Sequence, residues 1–218
     1  MSSISVYGYS LAKVPADEET ECRPSTAYGR SKLASEKEVL ALAGKMPVVI
    51  LRPGIVYGEG FEGAYATVFE MLKKGKMPVF GSGENVIPFV HVDDVIEAII
   101  QALEKETKSG SVYNIVGREQ KTQREIYAIA CGELGVKPPK RSVPAALAKL
   151  VAFGEVFVSG VAGKKPKLIP EYVEKLASDR RFETKKAEGE LGFRAKVKLD
   201  EGIREMARHY GGDRDGAA

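Results

Sequence analysis

The run Val48-Val49-Ile50-Leu51 is the feature that most narrows what this chain can become. Four apolar residues in succession leave no polar face, so a strand made from them is covered on both sides. Pro47 and Pro53 bracket the run and mark its ends. A doubly covered strand belongs to a sheet flanked by helices, and the rest of the chain supplies such helices. Periodicity predicts one from about Ala27 to Ala43, with Leu33, Val39, Leu40 and Ala43 on one stripe and Gly44 just past its end. Another runs from Ala64 to Lys74. A third is opened by Asp93 as its cap and continues to Leu103. Val112 to Val116 reads as a further strand, and Pro78-Val79-Phe80 and Phe89-Val90-His91-Val92 as short extended pieces. Thr122 begins a helix with Glu125 three residues on, the pattern of a capping box. Further helices are expected near Pro144–Phe157, Pro170–Leu176, Thr184–Glu190 and Leu199–His209, with a frayed tail over Gly211–Ala218. The Tyr65/Phe69/Leu72 and Ile96/Ile99/Ile100/Leu103 stripes read as core.

Strands alternate with helices early and helices dominate late. The expected fold is therefore α/β, a partial Rossmann-type parallel sheet with a mostly helical C-terminal lobe. Residues 1–57 are assigned to the rear of a nucleotide-binding domain and 58–218 to a substrate lobe, with the strand near 112–116 returning to the sheet. Ser3-Ile4-Ser5-Val6-Tyr7-Gly8 reads as the end of a strand with nothing before it. A parallel strand needs hydrogen-bonding neighbours, so the expectation is a chain whose preceding strands are absent.

Composition excludes several classes. Lysine and arginine total 33 against 30 acids, a net charge of +3 that is too small to imply nucleic acid. The basic stretch of Lys164, Lys165, Lys167, Arg180, Arg181, Lys185 and Lys186 is interrupted by Glu171, Glu174 and Asp179 and reads as a solvated face. Cys22 and Cys131 are too few for a disulfide framework and lack metal-type spacing, so reduced thiols in a cytoplasmic protein are expected. No run of about 18 apolar residues occurs, and Met1-Ser2-Ser3-Ile4 is no signal peptide. The expectation is a soluble chain without a membrane partner.

The residues with most chemistry are Tyr28-Gly29-Arg30-Ser31-Lys32. Four apart on a helix, Tyr28 and Lys32 project from one face. A tyrosine is a poor base at neutral pH, but an ammonium beside it favours the phenolate. Such a pair can take a proton from an alcohol or give one to a ketone. Ser3 stands upstream, where its hydroxyl could hold a substrate oxygen beside Tyr28.

Ser3-x-x-x-Tyr7-Gly8, the acidic loop with Pro24, and Tyr28-x-x-x-Lys32 together resemble the catalytic segment of the extended short-chain dehydrogenase/reductase family, of the NAD-dependent epimerase/dehydratase type. The likeness continues in order through Leu51-Arg52-Pro53-Gly54-Ile55-Val56-Tyr57-Gly58, Gly81-Ser82-Gly83, Phe89-Val90-His91-Val92-Asp93-Asp94 and Val112-Tyr113-Asn114-Ile115. It extends through Arg124-Glu125-Ile126 to Leu191-Gly192-Phe193 and Glu201-Gly202-Ile203. The resemblance implies Tyr28 as general acid/base, Lys32 as its ribose-holding partner and Ser3 as the group polarising the substrate oxygen. It places Pro53, Gly54 and Ile55 against a nicotinamide, and Ser3, Tyr57 and His91 at the substrate. Pro53 and Gly54 independently suit such a place, since they present a backbone edge without bulk. NAD or NADP is implied, NAD favoured, with a small-molecule substrate and a homodimer.

Gly58-Glu59-Gly60-Phe61-Glu62-Gly63 has the letter of a dinucleotide fingerprint but not its context. Pro53 breaks the incoming strand, Glu59 and Glu62 would face a pyrophosphate with like charge, and no acid-tipped second strand follows. The true fingerprint is expected upstream of Ser3, so activity of this chain alone is in question. His91, Asp93 and Asp94 lack a third ligand at suitable spacing, and no metal is expected. Ile87 and Pro88 stand where sugar-nucleotide members of the resembled family commonly carry Arg-Asp, an arginine that would clamp the pyrophosphate. Three readings therefore stand: an epimerase, dehydratase or dehydrogenase acting at a secondary alcohol of a nucleotide sugar; a hydroxysteroid- or flavonoid-type ketone reductase; and a non-catalytic lobe that binds a ligand or partner.

Overall fold

The structure, a computed structural model, describes residues 1–58, 64–161, 163, 166 and 169–211. The glycine-rich stretch beyond Gly58, Lys164, Lys165 and Lys167, and the tail 212–218 lie outside the described residues. In chain order the elements are a 3₁₀ turn Ile4–Tyr7, α1 (Ala27–Leu40), β1 (Val49–Pro53), β2 (Ile55–Tyr57), α2 (Ala64–Lys73), β3 (Val79–Phe80), β4 (Val86–Ile87), β5 (Phe89–His91) and α3 (Val92–Glu104). There follow β6 (Ser111–Ile115), β7 (Lys121–Thr122), α4 (Gln123–Glu133), β8 (Ser142–Val143), α5 (Ala145–Val161), α6 (Pro170–Ala177), a π-helical turn Ala187–Leu191 and α7 (Leu199–Gly211). The chain divides into two compact units.

The first unit gathers Met1–Phe61, Pro88–Gln120 and Arg180–Gly202. Its frame is the apolar run of β1, which pairs in parallel with β6, Val49 opposite Ser111 and Pro53 opposite Ile115. On its other edge, Ser2 donates its N–H to the Leu51 carbonyl at 2.8 Å. At Gly54 the strand exchanges neighbours: Gly54 N–H bonds the Ile115 carbonyl, Ile55 N–H bonds the Pro88 carbonyl, and β2 continues parallel to β5. A Cβ on Gly54 would stand 2.4 Å from the Pro88 oxygen, so this crossing point tolerates only glycine. Alternation along the strands feeds two cores. Leu51, Tyr113 and Ile115 join Val90, Val95, Ala98, Leu191 and Phe193 in one. Val116 joins Ile4, Val6, Tyr7, Ala16 and Phe182 in the other.

Three expectations change here. Residues 4–7 form a 3₁₀ turn rather than a strand end, because Ser3 Oγ accepts from Ser5 N–H and caps it. Only Ser2, just before, takes part in strand-like bonding. The cap of α3 is His91, whose Nδ1 accepts from Asp93 N–H at 3.2 Å, and not Asp93. Asp94 is buried and its carboxylate accepts from Lys196 N–H at 2.7 Å, fastening the C-terminal segment to the helix start. Of the apolar stripe on α3, Ile99 packs inward while Ile96, Ile100 and Leu103 are exposed.

The second unit gathers Glu62–Ile87, Lys121–Asp179 and Ile203–Ala218. Here β3 pairs in parallel with β8, and β4 antiparallel with β7. The Thr122–Glu125 capping box forms as the sequence predicts and starts α4. Gln123 is fully buried and links three segments: its Oε1 accepts from Phe80 N–H at 2.8 Å and its Nε2 donates to the Leu176 carbonyl at 2.6 Å. Asp179 accepts from Val86 N–H at 2.8 Å.

Candidate active site

Of the predicted residues of the first unit, Pro53 ends β1, Gly54 and Ile55 form the strand crossing, Tyr57 and His91 end β2 and β5, Tyr28 and Lys32 stand on α1, and Ser3 precedes the 3₁₀ turn. Thr26 caps α1, its side chain accepting from Gly29 N–H at 3.0 Å. A Cβ on Gly29 would lie 2.4 Å from the Ser5 carbonyl oxygen, so the first turn of α1 presses directly on the 3₁₀ turn that Ser3 caps. Tyr28 and Lys32 leave this helix on one face. Lys32 Nζ stands 5.7 Å from the Tyr28 ring centroid and donates to the Met1 carbonyl at 3.4 Å. Tyr28 is 54% exposed, unusual for a large aromatic and suited to a group that meets a ligand.

Ser3 is buried, and its Oγ also donates to Ser5 Oγ at 3.1 Å. Pro53, Gly54 and Ile55 occupy the strand crossing described above. Tyr57 is not at an open surface: its ring is buried, edge-on to Phe89 and to His91 at centroid separations of 5.6 and 5.1 Å. A Cβ on Gly202 would stand 2.4 Å from the Tyr57 ring, so that glycine makes room for it. His91 is partly buried, with Asp93 Oδ2 3.4 Å from its Nδ1. Among the described residues, no group of three or more His, Cys, Asp and Glu gathers as metal ligands.

Sequence reasoning missed the network that holds α1 in place. Arg52, buried in β1, donates from Nε and Nη2 to the two oxygens of the buried Glu36 carboxylate at 2.8 and 2.6 Å. Its third arm donates to Tyr7 Oη at 2.7 Å, and Tyr7 passes its own proton to Asn114 Oδ1 at 2.9 Å. One arginine thus ties α1, the 3₁₀ turn, β1 and β6 together behind Tyr28 and Lys32. Burial alone would raise the Glu36 carboxyl, but the hydrogen bonds and charge of Arg52 outweigh it and hold it below the usual carboxylate range. Burial pushes Tyr7 up to about 12, and the Arg52 charge only partly opposes it. The only local hint was Glu36, two helical turns after Tyr28; its partner lies in the following strand, beyond any helical spacing.

An α/β unit with parallel strands and a helix that exposes Tyr28 of a Tyr-x-x-x-Lys pair is a Rossmann-type arrangement. Comparison with known proteins narrows the class: residues 1–116 match the model of the NAD dependent epimerase/dehydratase family, and the chain belongs to that family. An uncharacterized Sinorhizobium fredii protein, y4nG, is 33% identical over 196 residues, covering 88% of this chain and 47% of its own length. The UDP-glucose 4-epimerase of Vibrio cholerae is 26% identical over 96% of this chain and 62% of its own length. Among solved structures, the UDP-glucuronic acid 4-epimerase of Bacillus cereus in complex with NAD matches with a TM-score of 0.70 at 23% identity, over 97% of this chain and 61% of that one. A dTDP-glucose 4,6-dehydratase of Streptomyces venezuelae matches equally well, TM-score 0.70 at 24% identity, over 98% and 59%. The chain thus spans about half to two-thirds of the length of these relatives.

Proposed function

We propose that this protein serves NAD(P)-dependent epimerisation or dehydration at a secondary alcohol carbon of a nucleotide sugar, with Tyr28, Lys32 and Ser3 as its catalytic residues. The carrying observation is that Tyr28 and Lys32 share an exposed helix face, seated by Gly29 on the turn that Ser3 caps. In this reading Tyr28 Oη, without its proton, takes that of the alcohol as the carbon is oxidised, and the hydroxyl so formed returns it to the keto oxygen on reduction. Lys32 stands beside it and holds a ribose hydroxyl. The Ser3 hydroxyl turns from Ser5 to the substrate oxygen. Pro53, Gly54 and Ile55 are the backbone against which the nicotinamide lies in this reading, while the space a Gly54 side chain would need is already taken by the Pro88 carbonyl. The bound nicotinamide supplies the hydride acceptor. Tyr57 and His91 pack together and shape the end of β2 toward the substrate.

The names of the epimerase relatives support a nucleotide sugar as substrate and an enzyme rather than a non-catalytic lobe. Ile87 and Pro88 are both buried, so diphosphate recognition in this reading falls to other residues. The test is titration of the purified chain with NADH, followed by nicotinamide fluorescence. Saturable binding that Lys32→Ala weakens at least tenfold supports the reading. Binding that Lys32→Ala leaves unchanged overturns the role given to this helix face.

A further inference from the structure

Helix α5 wears its amphipathicity inside out. It packs against α6, and its small residues Ala148 and Ala152 are both buried. Its only charged residues, Lys149 and Glu155, are partly buried, and Lys149 is paired with Glu174 of α6 at 3.0 Å. The opposite side is apolar and open. Leu147, Leu150, Val151, Phe153 and Val158 fall on one arc of roughly 160° at 100° per residue. Leu150, Phe153 and Val158 are 68%, 60% and 65% exposed. Among the described residues of this arc none is charged or carries a hydroxyl. A helix in water normally has the reverse arrangement, and a contiguous apolar patch of this kind marks an interaction surface.

The charge around the helix identifies what covers it. From Leu134 to Gly154 the chain contains four cations, Lys137, Lys140, Arg141 and Lys149, and no acid. Lys137, Lys140 and Arg141 are exposed and immediately precede α5. The positive end of the helix dipole points the same way. This segment is fixed to the body of its unit, since the Arg141 carbonyl accepts from Val79 N–H at 3.0 Å and that of Val143 from Gly81 N–H at 2.9 Å. A second copy seated on this face would set its own exposed Lys137, Lys140 and Arg141 against the same cations. An anionic bilayer surface answers both features at once, with phosphates for the cations and acyl chains for the arc. At 17 residues the helix is about 25 Å long, and no described helix is long and apolar enough to cross a membrane.

We infer that α5 docks the protein on an anionic membrane surface, lying in the interface plane with Leu150 and Phe153 buried and Lys140 and Arg141 on lipid phosphates. The sequence-based expectation of no membrane partner rested on the lack of a span, which a helix lying in the surface does not need. The test is flotation of the full chain with vesicles of phosphatidylcholine, or of phosphatidylcholine and phosphatidylglycerol at about three to one. The substitutions are exposed, so unchanged circular dichroism and thermal unfolding qualify each variant. The chain floats with the anionic vesicles and roughly tenfold less with the neutral ones. Leu150→Glu with Phe153→Glu abolishes flotation, and Lys140→Glu with Arg141→Glu cuts it roughly tenfold on anionic vesicles alone. A chain that stays unbound, or that floats unchanged with the Leu150→Glu/Phe153→Glu pair, overturns the inference. So does a lipid-free dimer in sedimentation velocity that this pair dissociates, which assigns the face to a second copy.

Discussion

Tyr28 and Ser3 sit within one catalytic proposal but stand differently toward the fold, and substitution separates the two roles. The Tyr28 side chain is more than half exposed, so Tyr28→Phe removes a hydroxyl without opening a cavity. We expect its unfolding free energy to stay within about 0.5 kcal/mol of the parent. Turnover with a nucleotide-sugar substrate should fall about 10²- to 10⁴-fold, the usual contribution of a positioned acid/base. Ser3 is buried and caps the turn on which α1 rests. Ser3→Ala should therefore lower both stability, by about 1 kcal/mol, and turnover. Urea denaturation beside a steady-state assay reads both effects. A Tyr28→Phe variant that keeps full turnover would remove the phenol from the mechanism. The shared face of Tyr28 and Lys32 is legible in the sequence because a helix places residues four apart on one side. Ser3 enters the proposal only through its place in an ordered motif, and Ile4, Val6 and Tyr7, being strand-like residue types, predict a strand where the structure has a turn.

Among the elements, α1 depends on a connection that no local pattern announces. The pairing of Glu36 with Arg52 joins a helix to the strand that follows it, and Asn114 enters the network from β6, far along the chain. Removing one partner strands a buried charge. Either Glu36→Ala or Arg52→Ala should cost about 3–5 kcal/mol. Replacing both by apolar residues of similar volume, Glu36→Leu with Arg52→Met, should recover most of that loss. Equilibrium denaturation of the four proteins in this cycle gives the coupling directly. Losses that simply add would show that the two side chains act independently. What was legible at this scale follows the same division. The apolar run of β1 and the Thr122–Glu125 box carry their signal in adjacent residues and form as read. The cap of α3 was misassigned by two residues because an imidazole nitrogen does the work usually done by a carboxylate. The exposed side of α3 was read as core because periodicity reports that a stripe is apolar and not whether anything covers it.

For the whole molecule, we expect one buried network to act at both ends of the pH range. Each unit is assembled from three separate segments, and in the first the pairing of β1 with β6 closes the long stretch of chain between Pro53 and Ser111. The Glu36–Arg52–Tyr7–Asn114 chain lies on that closure, so its titration acts on the unit's global stability. Glu36 is held below its ordinary value of 4.5. Its contribution is fully present above that pH and is lost as the pH falls through the lower folded value. Tyr7 is raised from 10.0 to about 12. Its contribution is fully present below pH 10 and is lost as the pH rises toward 12, by about 2 to 3 kcal/mol. Denaturation midpoints measured from pH 3 to pH 12 should therefore fall at both ends, and the limbs should be separable. Tyr7→Phe lowers the plateau by the lost bonds to Asn114 and from Arg52 and flattens the alkaline limb, because no phenol remains to ionise. Glu36→Gln flattens the acid limb. An alkaline limb unchanged in Tyr7→Phe would assign it elsewhere, to lysines or to the buried Tyr127, and would detach this network from the pH dependence of the fold.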